Sequence, residues 1–224
     1  ELYQRWGRAL GQMVPPGAMF LAGGDVRQST PPFLRALIDG LGQAGAAAVD
    51  LGLLPTPMIY FARRHFDAAA CAIVTASHNP HTINGLKWTI GQRPPEPADV
   101  HRLAAAAGET EASGLSAANG PGARGRGAVG RPIPTENVRQ LEAAYRDWLV
   151  ARWAPHGGRM RQTIVVDPMW GCWADRAVAL LRQAFPNARF EAVHDRPRGD
   201  FGGVGPDPSR SERLAELGEA VRRH

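Results

Sequence analysis

Residues 18–45, AMFLAGGDVRQSTPPFLRALIDGLGQAG, decide the fold. The opening run is apolar and short, and it breaks at Gly23-Gly24, which reads as a strand ending in a turn. Pro31 and Pro32 fit the first turn of a helix, where an N–H has no intrahelical partner. Phe33, Leu34, Leu37, Ile38 and Leu41 then fall on one helical face, and Gly45 supplies the stop. The unit is strand, turn, helix.

The unit recurs in both directions. Upstream, Leu2, Trp6, Leu10 and Met13 are spaced for an amphipathic helix. Downstream, AAAVDLG reads as a strand, PMIYFARRHF as a helix opened by Pro57, and AAACAIVTA as a third strand bounded by the polar loop SHNP. GLKWTI is a fourth strand and PADVHRLAAAA a further helix. Strands alternating with helices at this spacing predict a layered α/β domain. Residues 108–134 are rich in Gly, Ala, Ser and Arg without a sustained period and read as a linker.

From residue 135 the rhythm restarts. TENVRQLEAAYRDWLV is a helix capped at Thr135, with Val138, Leu141, Tyr145, Trp148 and Leu149 apolar, and it is expected to bridge two domains. The strand TIVVD, the turn PMWGC, the helix WADRAVALLRQAF and the strand ARFEAVH follow. Ser209 and Glu212 have capping-box spacing ahead of a last helix lined by Leu214, Leu217 and Val221. The expected organisation is residues 1–134 as one domain with its linker, then 135–224 as a bridging helix and a partial second domain. The first residue is Glu1, and a sheet stopped at this point would expose an unpaired edge. Both observations lead us to expect missing ends.

The chain has 224 residues, 44% hydrophobic and 21% charged, with a net charge of +5. That is enough for one large or two small cores. No apolar run is long enough to span a bilayer and the N-terminal stretch has no secretory core, so the expected location is cytoplasmic and no membrane partner is expected. Cys71 and Cys172 have no metal-ligand spacing and read as reduced thiols. The densest basic stretch, GARGRGAVGR at 122–131, reads as a solvated linker, and no nucleic-acid partner is expected. The oligomeric state is left open.

One oddity of composition is chemical. The chain has 25 Arg and a single Lys, Lys87, which lies ten residues after Ser77 in TASHNPHTINGLKW (75–88). An amine can release its proton where a guanidinium cannot. Ser77 follows a buried-looking strand and precedes His78, a position where α/β proteins carry reactive groups. A Ser-His hydrolase is one reading, although adjacent residues in an extended loop point apart and no G-x-S-x-G elbow is present. A purely structural turn, with Ser77 and Asn79 bonding locally, is another.

The longer pattern, T-A-S-H-N-P followed by N-G-x-K at Asn84, Gly85 and Lys87, resembles the serine loop of the α-D-phosphohexomutases, the phosphoglucomutase and phosphomannomutase family. GGDVRQSTP (23–31), VVDPMWG (165–171) and GDFGGVGPDPS (199–209) resemble further segments of that family in the same order. The resemblance implies a three-layer α/β/α domain with a mixed sheet, followed by the incomplete start of a second similar α/β domain. It implies interconversion of hexose 1- and 6-phosphates through a phosphoserine at Ser77, with Mg²⁺ and hexose 1,6-bisphosphate as activator.

Residue by residue, the resemblance makes Ser77 the phosphoryl carrier and, through its phosphate, a metal ligand. Lys87 becomes a general acid/base candidate, His78 a polar group beside the phosphate, and Arg27 the neutralising guanidinium. The resemblance places Asn84 and Gly85 with Arg27 among the phosphate- or substrate-binding residues, and Asn84-Gly85 would form a tight turn, with Gly85 tolerating positive φ, that brings Lys87 back towards Ser77. The plainer readings stay open: Lys87 as a surface lysine, His78 as a loop-orienting group, Arg27 as a helix-end ion pair. The chain departs from the family at Ile83, where an aromatic residue is usual, and in carrying Trp170 and Trp173, which are expected to pack between domains. The family's D-G-D-x-D-R metal loop is not among these residues. The alternative is a shortened, non-catalytic relic that binds a sugar phosphate or a partner protein.

Overall fold

A computed structural model describes residues 1–116, 131–132, 135–203 and 205–224. The strand-turn-helix stretch forms β1 (Met19–Gly24) and α2 (Thr30–Gln43), preceded by α1 (Leu2–Gly11) and followed by β2 (Ala47–Leu53), α3 (Thr56–His65), β3 (Ala70–Val74) and β4 (Leu86–Ile90). α4 spans Pro97–Ser116, β5 Arg131–Pro132 and α5 Thr135–Gly157. The sheet order is β4-β3-β1-β2-β5. β1, β2, β3 and β5 run parallel, and β4 closes the edge antiparallel to β3.

Two cores cover the two faces of this sheet. On one side α1, α2 and α4 bury Leu10, Leu37, Leu41 and Leu103 against Phe20, Ala72 and Val74. On the other, α3 and α5 bury Ile59, Leu141 and Tyr145 against Leu21, Cys71 and Ile73. Alternate residues of one strand therefore face opposite layers, and the expected α/β/α sandwich with a mixed sheet is present. Each fully buried Leu or Phe contributes about 1.5–3 kcal/mol relative to an exposed one. The helices of the first layer touch at backbone distance: a Cβ on Gly7 would lie 2.1 Å from the Leu37 carbonyl, and one on Gly40 2.1 Å from that of Gln4.

The segment read as a linker differs from that expectation at both ends. α4 continues through Ser116, because Ala and Glu residues after Ala107 are good helix formers even without an apolar stripe. Arg131–Pro132 pairs with Val49 and Asp50 of β2, and residues 117–130 lie outside the described part.

The later portion contains β6 (Thr163–Val166), α6 (Ala177–Ala184), β7 (Arg189–Ala192) and α7 (Ala215–Arg222), with β6 and β7 parallel. Its strand ends are tied by His194, whose Nδ1 is 3.0 Å from Asp167 Oδ1 and whose Nε2 is 3.0 Å from Glu216 Oε2. The expected capping box does not form. Ser209 Oγ donates to Asp207 Oδ1 at 2.7 Å, a local turn bond that removes the hydroxyl from the helix start. α5 touches both portions: Leu141 and Tyr145 enter the first sheet's core, while Glu142 accepts from Arg176 Nε at 2.9 Å. Trp173 packs between the portions, its ring 6.1 Å from that of Tyr145. Trp170 instead lies on His194, ring centroids 3.7 Å apart. No helix among the described residues is long and apolar enough to cross a membrane.

Candidate active site

The chain leaves β1, crosses over through α2 to β2 on one side, then returns through α3 to β3 on the other side of β1. The carboxyl ends of β1 and β3 thus flank a topological switch point, where open α/β sheets form crevices. The turn Asp25–Ser29 follows β1 and the serine loop 75–85 follows β3, so the sequence places both polar segments at this crevice.

Asp25 is the hub between them. Its Oδ1 accepts from the Arg27 amide at 3.0 Å and the Thr30 hydroxyl at 2.9 Å. Its Oδ2 accepts from Arg27 Nε at 3.0 Å and the Thr75 hydroxyl at 2.7 Å. Thr75 Oγ1 in turn accepts the Ser77 amide at 3.1 Å. Two loops far apart in the chain are thereby pinned by one carboxylate.

Arg27, expected from the resemblance to neutralise a phosphate on Ser77, is engaged in this structure with the backbone of the serine loop. Its side chain is 0% exposed. Nη2 donates to the carbonyls of Ser77 and Asn79, both at 3.0 Å, and Nη1 to that of Pro80 at 2.7 Å. Carbonyls of a tight loop that face inward need donors, and a planar guanidinium supplies several in fixed directions. Arg27 therefore shapes the serine loop from beneath.

Ser77 is exposed and has φ of 55°. A left-handed conformation is unfavourable for a residue with a Cβ, and here the three carbonyl contacts from Arg27 and the amide bond to Thr75 hold it. Its hydroxyl makes no hydrogen bond with the described residues.

The turn after it does not use the positive φ that Gly85 would tolerate. Gly85 is not among the residues of positive φ. Proximity favours a small residue there instead, since a Cβ would lie 3.2 Å from the Thr75 carbonyl, a tight contact. Asn84 donates from Nδ2 to Ser29 Oγ and Thr30 Oγ1, both at 3.0 Å, and accepts the Gly85 amide at 2.9 Å. These bonds staple the loop to the start of α2. The Tyr3 hydroxyl donates to the Gly85 carbonyl at 3.2 Å. Burial, with the Asp25 charge adding, pushes the Tyr3 phenol up to about 12.

Lys87 is half-buried in β4 and paired with Ile73, four residues before Ser77. It makes no hydrogen bond or ion pair with the described residues. His78 is exposed, and its charge acts on Asp207 of the later portion. Hydrogen bonds from Ser209 hold the Asp207 carboxyl below the usual range, with His78 contributing less. Ile83 is 48% exposed, so this departure from the family pattern does not govern the loop's packing.

Residues 199–203 and 205 approach the crevice from the other side. A Cβ on Gly199 would lie 2.6 Å from the Val26 carbonyl, and one on Gly205 3.5 Å from Pro80 Cα. The Phe201 ring sits 5.0 Å from the Arg27 guanidinium carbon. Cys172 Sγ approaches the Gly24 carbonyl at 3.9 Å. Among the described residues no cluster of three His, Cys, Asp or Glu side chains could hold a metal ion, and Asp25 already accepts on both oxygens.

Sequence reasoning singled out Ser77, Arg27 and the Asn-Gly pair but not Asp25, Thr75 or Phe201. The Asp-x-Arg spacing was the available signal, because a turn brings residues two apart to one carboxylate. Phe201 had no local signal, since its partner Arg27 lies at the other end of the chain.

The geometry can now be set beside known proteins. The domain family described as "Phosphoglucomutase/phosphomannomutase, alpha/beta/alpha domain I" matches residues 1–112. A protein of Xanthomonas campestris pv. campestris (strain B100) named "Phosphohexose mutases" is 31% identical over 224 residues, which is 100% of this chain and 46% of that protein. A "Phosphoglucosamine mutase" of Synechococcus sp. (strain RCC307) is 34% identical over 217 residues, 96% of this chain and 42% of its own. A solved phosphoglucomutase/phosphomannomutase family protein from Burkholderia thailandensis shares the fold with a TM-score of 0.71 at 24% identity, covering 96% of this chain and 44% of that one. A solved chain from Thermus thermophilus, titled a putative phosphomannomutase, gives 0.73 at 26% identity, over 96% and 46% respectively. The present chain spans less than half the length of these relatives. It belongs to the phosphoglucomutase/phosphomannomutase family, of which it represents an N-terminal part.

Proposed function

We propose that Ser77 is the phosphoryl carrier of a hexose-phosphate mutase. A phosphate on Ser77 is transferred to a hexose 1- or 6-phosphate, forming hexose 1,6-bisphosphate. After the sugar reorients, Ser77 takes back the other phosphate, so each turnover returns the serine to its phosphorylated form. The observation that carries this reading is an exposed serine held in a left-handed turn by a buried arginine. Strain maintained by so many contacts is characteristic of functional positions.

Phosphoryl transfer depends chiefly on positioning and on charge neutralisation. A phosphoserine holds about −1.5 to −2 charges. With Arg27 committed to backbone carbonyls, the cationic candidates left in the motif include Lys87 and His78. Lys87 is the proposed acid/base group and His78 the proposed polar partner of the phosphate. Mg²⁺ and a hexose 1,6-bisphosphate activator belong to the reading, but the described residues do not form a metal cage, and no step runs through a metal held by them. The cytoplasm is the proposed location.

Residues 1–224 alone are expected to be inactive, so the test is incubation of the full-length protein with Mg²⁺ and hexose 1,6-bisphosphate followed by peptide mass spectrometry. The expected result is a phosphate on Ser77 that Ser77→Ala removes. Labelling of another residue, or none, overturns the carrier reading; saturable hexose-phosphate binding without labelling would fit the binding relic.

A further inference from the structure

We infer that the residues Asp200–Gly203 position Ser77, with Phe201 as the contact residue and Arg27 as the transmitter. The catalytic meaning of this rests on the carrier reading of Ser77, whereas the geometry does not depend on it.

Phe201 is 3% exposed and has φ of 48°, and the glycines at 202, 203 and 205 have φ of 71°, 82° and 78°. Glycines take this conformation freely, but at Phe201, which carries a Cβ, it is unfavourable without compensation. The compensation here is contact on both sides. Gly202 leaves room for the Trp170 ring, since a Cβ would lie 2.8 Å from its Cη2. Gly199 lets the backbone reach the turn at Val26–Gln28, where a Cβ would lie 2.6 Å from the Val26 carbonyl, and Gly205 lies against Asn79–Pro80 at ordinary contact distance.

Between these points the loop presents an aromatic face to the guanidinium that holds the Ser77, Asn79 and Pro80 carbonyls. A desolvated guanidinium is held in place by an aromatic face more strongly than by an aliphatic side chain. If Phe201 only filled space, any apolar side chain of similar volume would serve. If it fixes Arg27, removing the ring face while keeping the burial should loosen the serine loop and leave the sheet unchanged.

Phe201→Leu separates the two cases by site-resolved amide hydrogen exchange. The Asn79 and Ile83 amides donate to the Ala76 and Pro80 carbonyls at 3.1 and 3.0 Å, so they report on the loop; Leu21 and Ile73 report on the sheet. The expected result is exchange about tenfold faster at Asn79 and Ile83, with Leu21 and Ile73 unchanged and Ser77 phosphorylation of the full-length protein by hexose 1,6-bisphosphate slowed. Unchanged exchange at Asn79 and Ile83, or an equal rise at Leu21 and Ile73, overturns the inference. Should Phe201→Leu fail to fold, Phe201→Met carries the same two outcomes. Absence of labelling at Ser77 in the unsubstituted full-length protein would overturn the carrier reading alone, and the exchange result would still decide the role of the loop.

Discussion

β3 and β6 are both short apolar strands, ACAIV and TIVV, yet every residue of β3 is buried and every residue of β6 remains partly exposed. β3 lies between β1 and β4 with a helical layer on each face. β6 has β7 as its single strand neighbour among the described residues. Similar local sequence thus yields different burial, because burial is set by what the rest of the chain lays over a strand. The first portion builds its own support, and the later one leans on it through Trp173, Cys172 and the loop at Phe201.

Four substitutions test that difference. The largest effect is expected from Asp25→Ala, which leaves the buried Arg27 without its counter-ion and should cost about 3–5 kcal/mol, read as a lower denaturant midpoint. An unchanged midpoint would mean that the loop carbonyls alone suffice for the guanidinium. Next, Ile73→Ala in β3 should cost about 2–5 kcal/mol, whereas Ile164→Ala in β6 should cost about 1 kcal/mol. Equal costs in parallel denaturation curves would remove the distinction between the strands.

The smallest effect at neutral pH concerns Cys172, where the portions touch. Burial, with the Asp25 charge adding, pushes its thiol from 9.0 up to about 12. The unfolded chain therefore loses this proton first as pH rises, and linkage makes the folded form lose stability between these two values. Below the lower value the thiol is protonated in both states and contributes no slope. Cys172→Ala should flatten that alkaline decline in denaturation midpoints measured across the same range, and an identical slope would argue that the contact opens before the thiol ionises.

Much of the fold was legible in the sequence because periodicity records which face of an element is covered. The stripe on α2 and the apolar residues of α5 identified their buried sides before any partner was known. The extension of α4 past Ala107 was not legible, since Ala and Glu confer helicity without a stripe. The two-residue β5 exists only because β2 offers it an edge. At the site, Ser77 stood out by its neighbours, but the roles of Arg27 and Gly85 did not. Arg27 is fixed by carbonyls from a distant loop and Gly85 by the backbone of Thr75, relations that no local spacing encodes. The left-handed residue proved to be Ser77 rather than Gly85, because long-range hydrogen bonds outweighed intrinsic preference.

α5 carries a consequence for exchanging parts between relatives. Its Leu141 and Tyr145 complete a core whose other members, Leu21, Ile59 and Ile73, lie far earlier in the chain. A chimera joined at residue 134 would press a foreign helix onto a surface shaped for this one. A junction after Gly157 would keep that match, at the expense of new partners for Glu142 and Tyr145 across the seam. The two portions are therefore inherited most safely together.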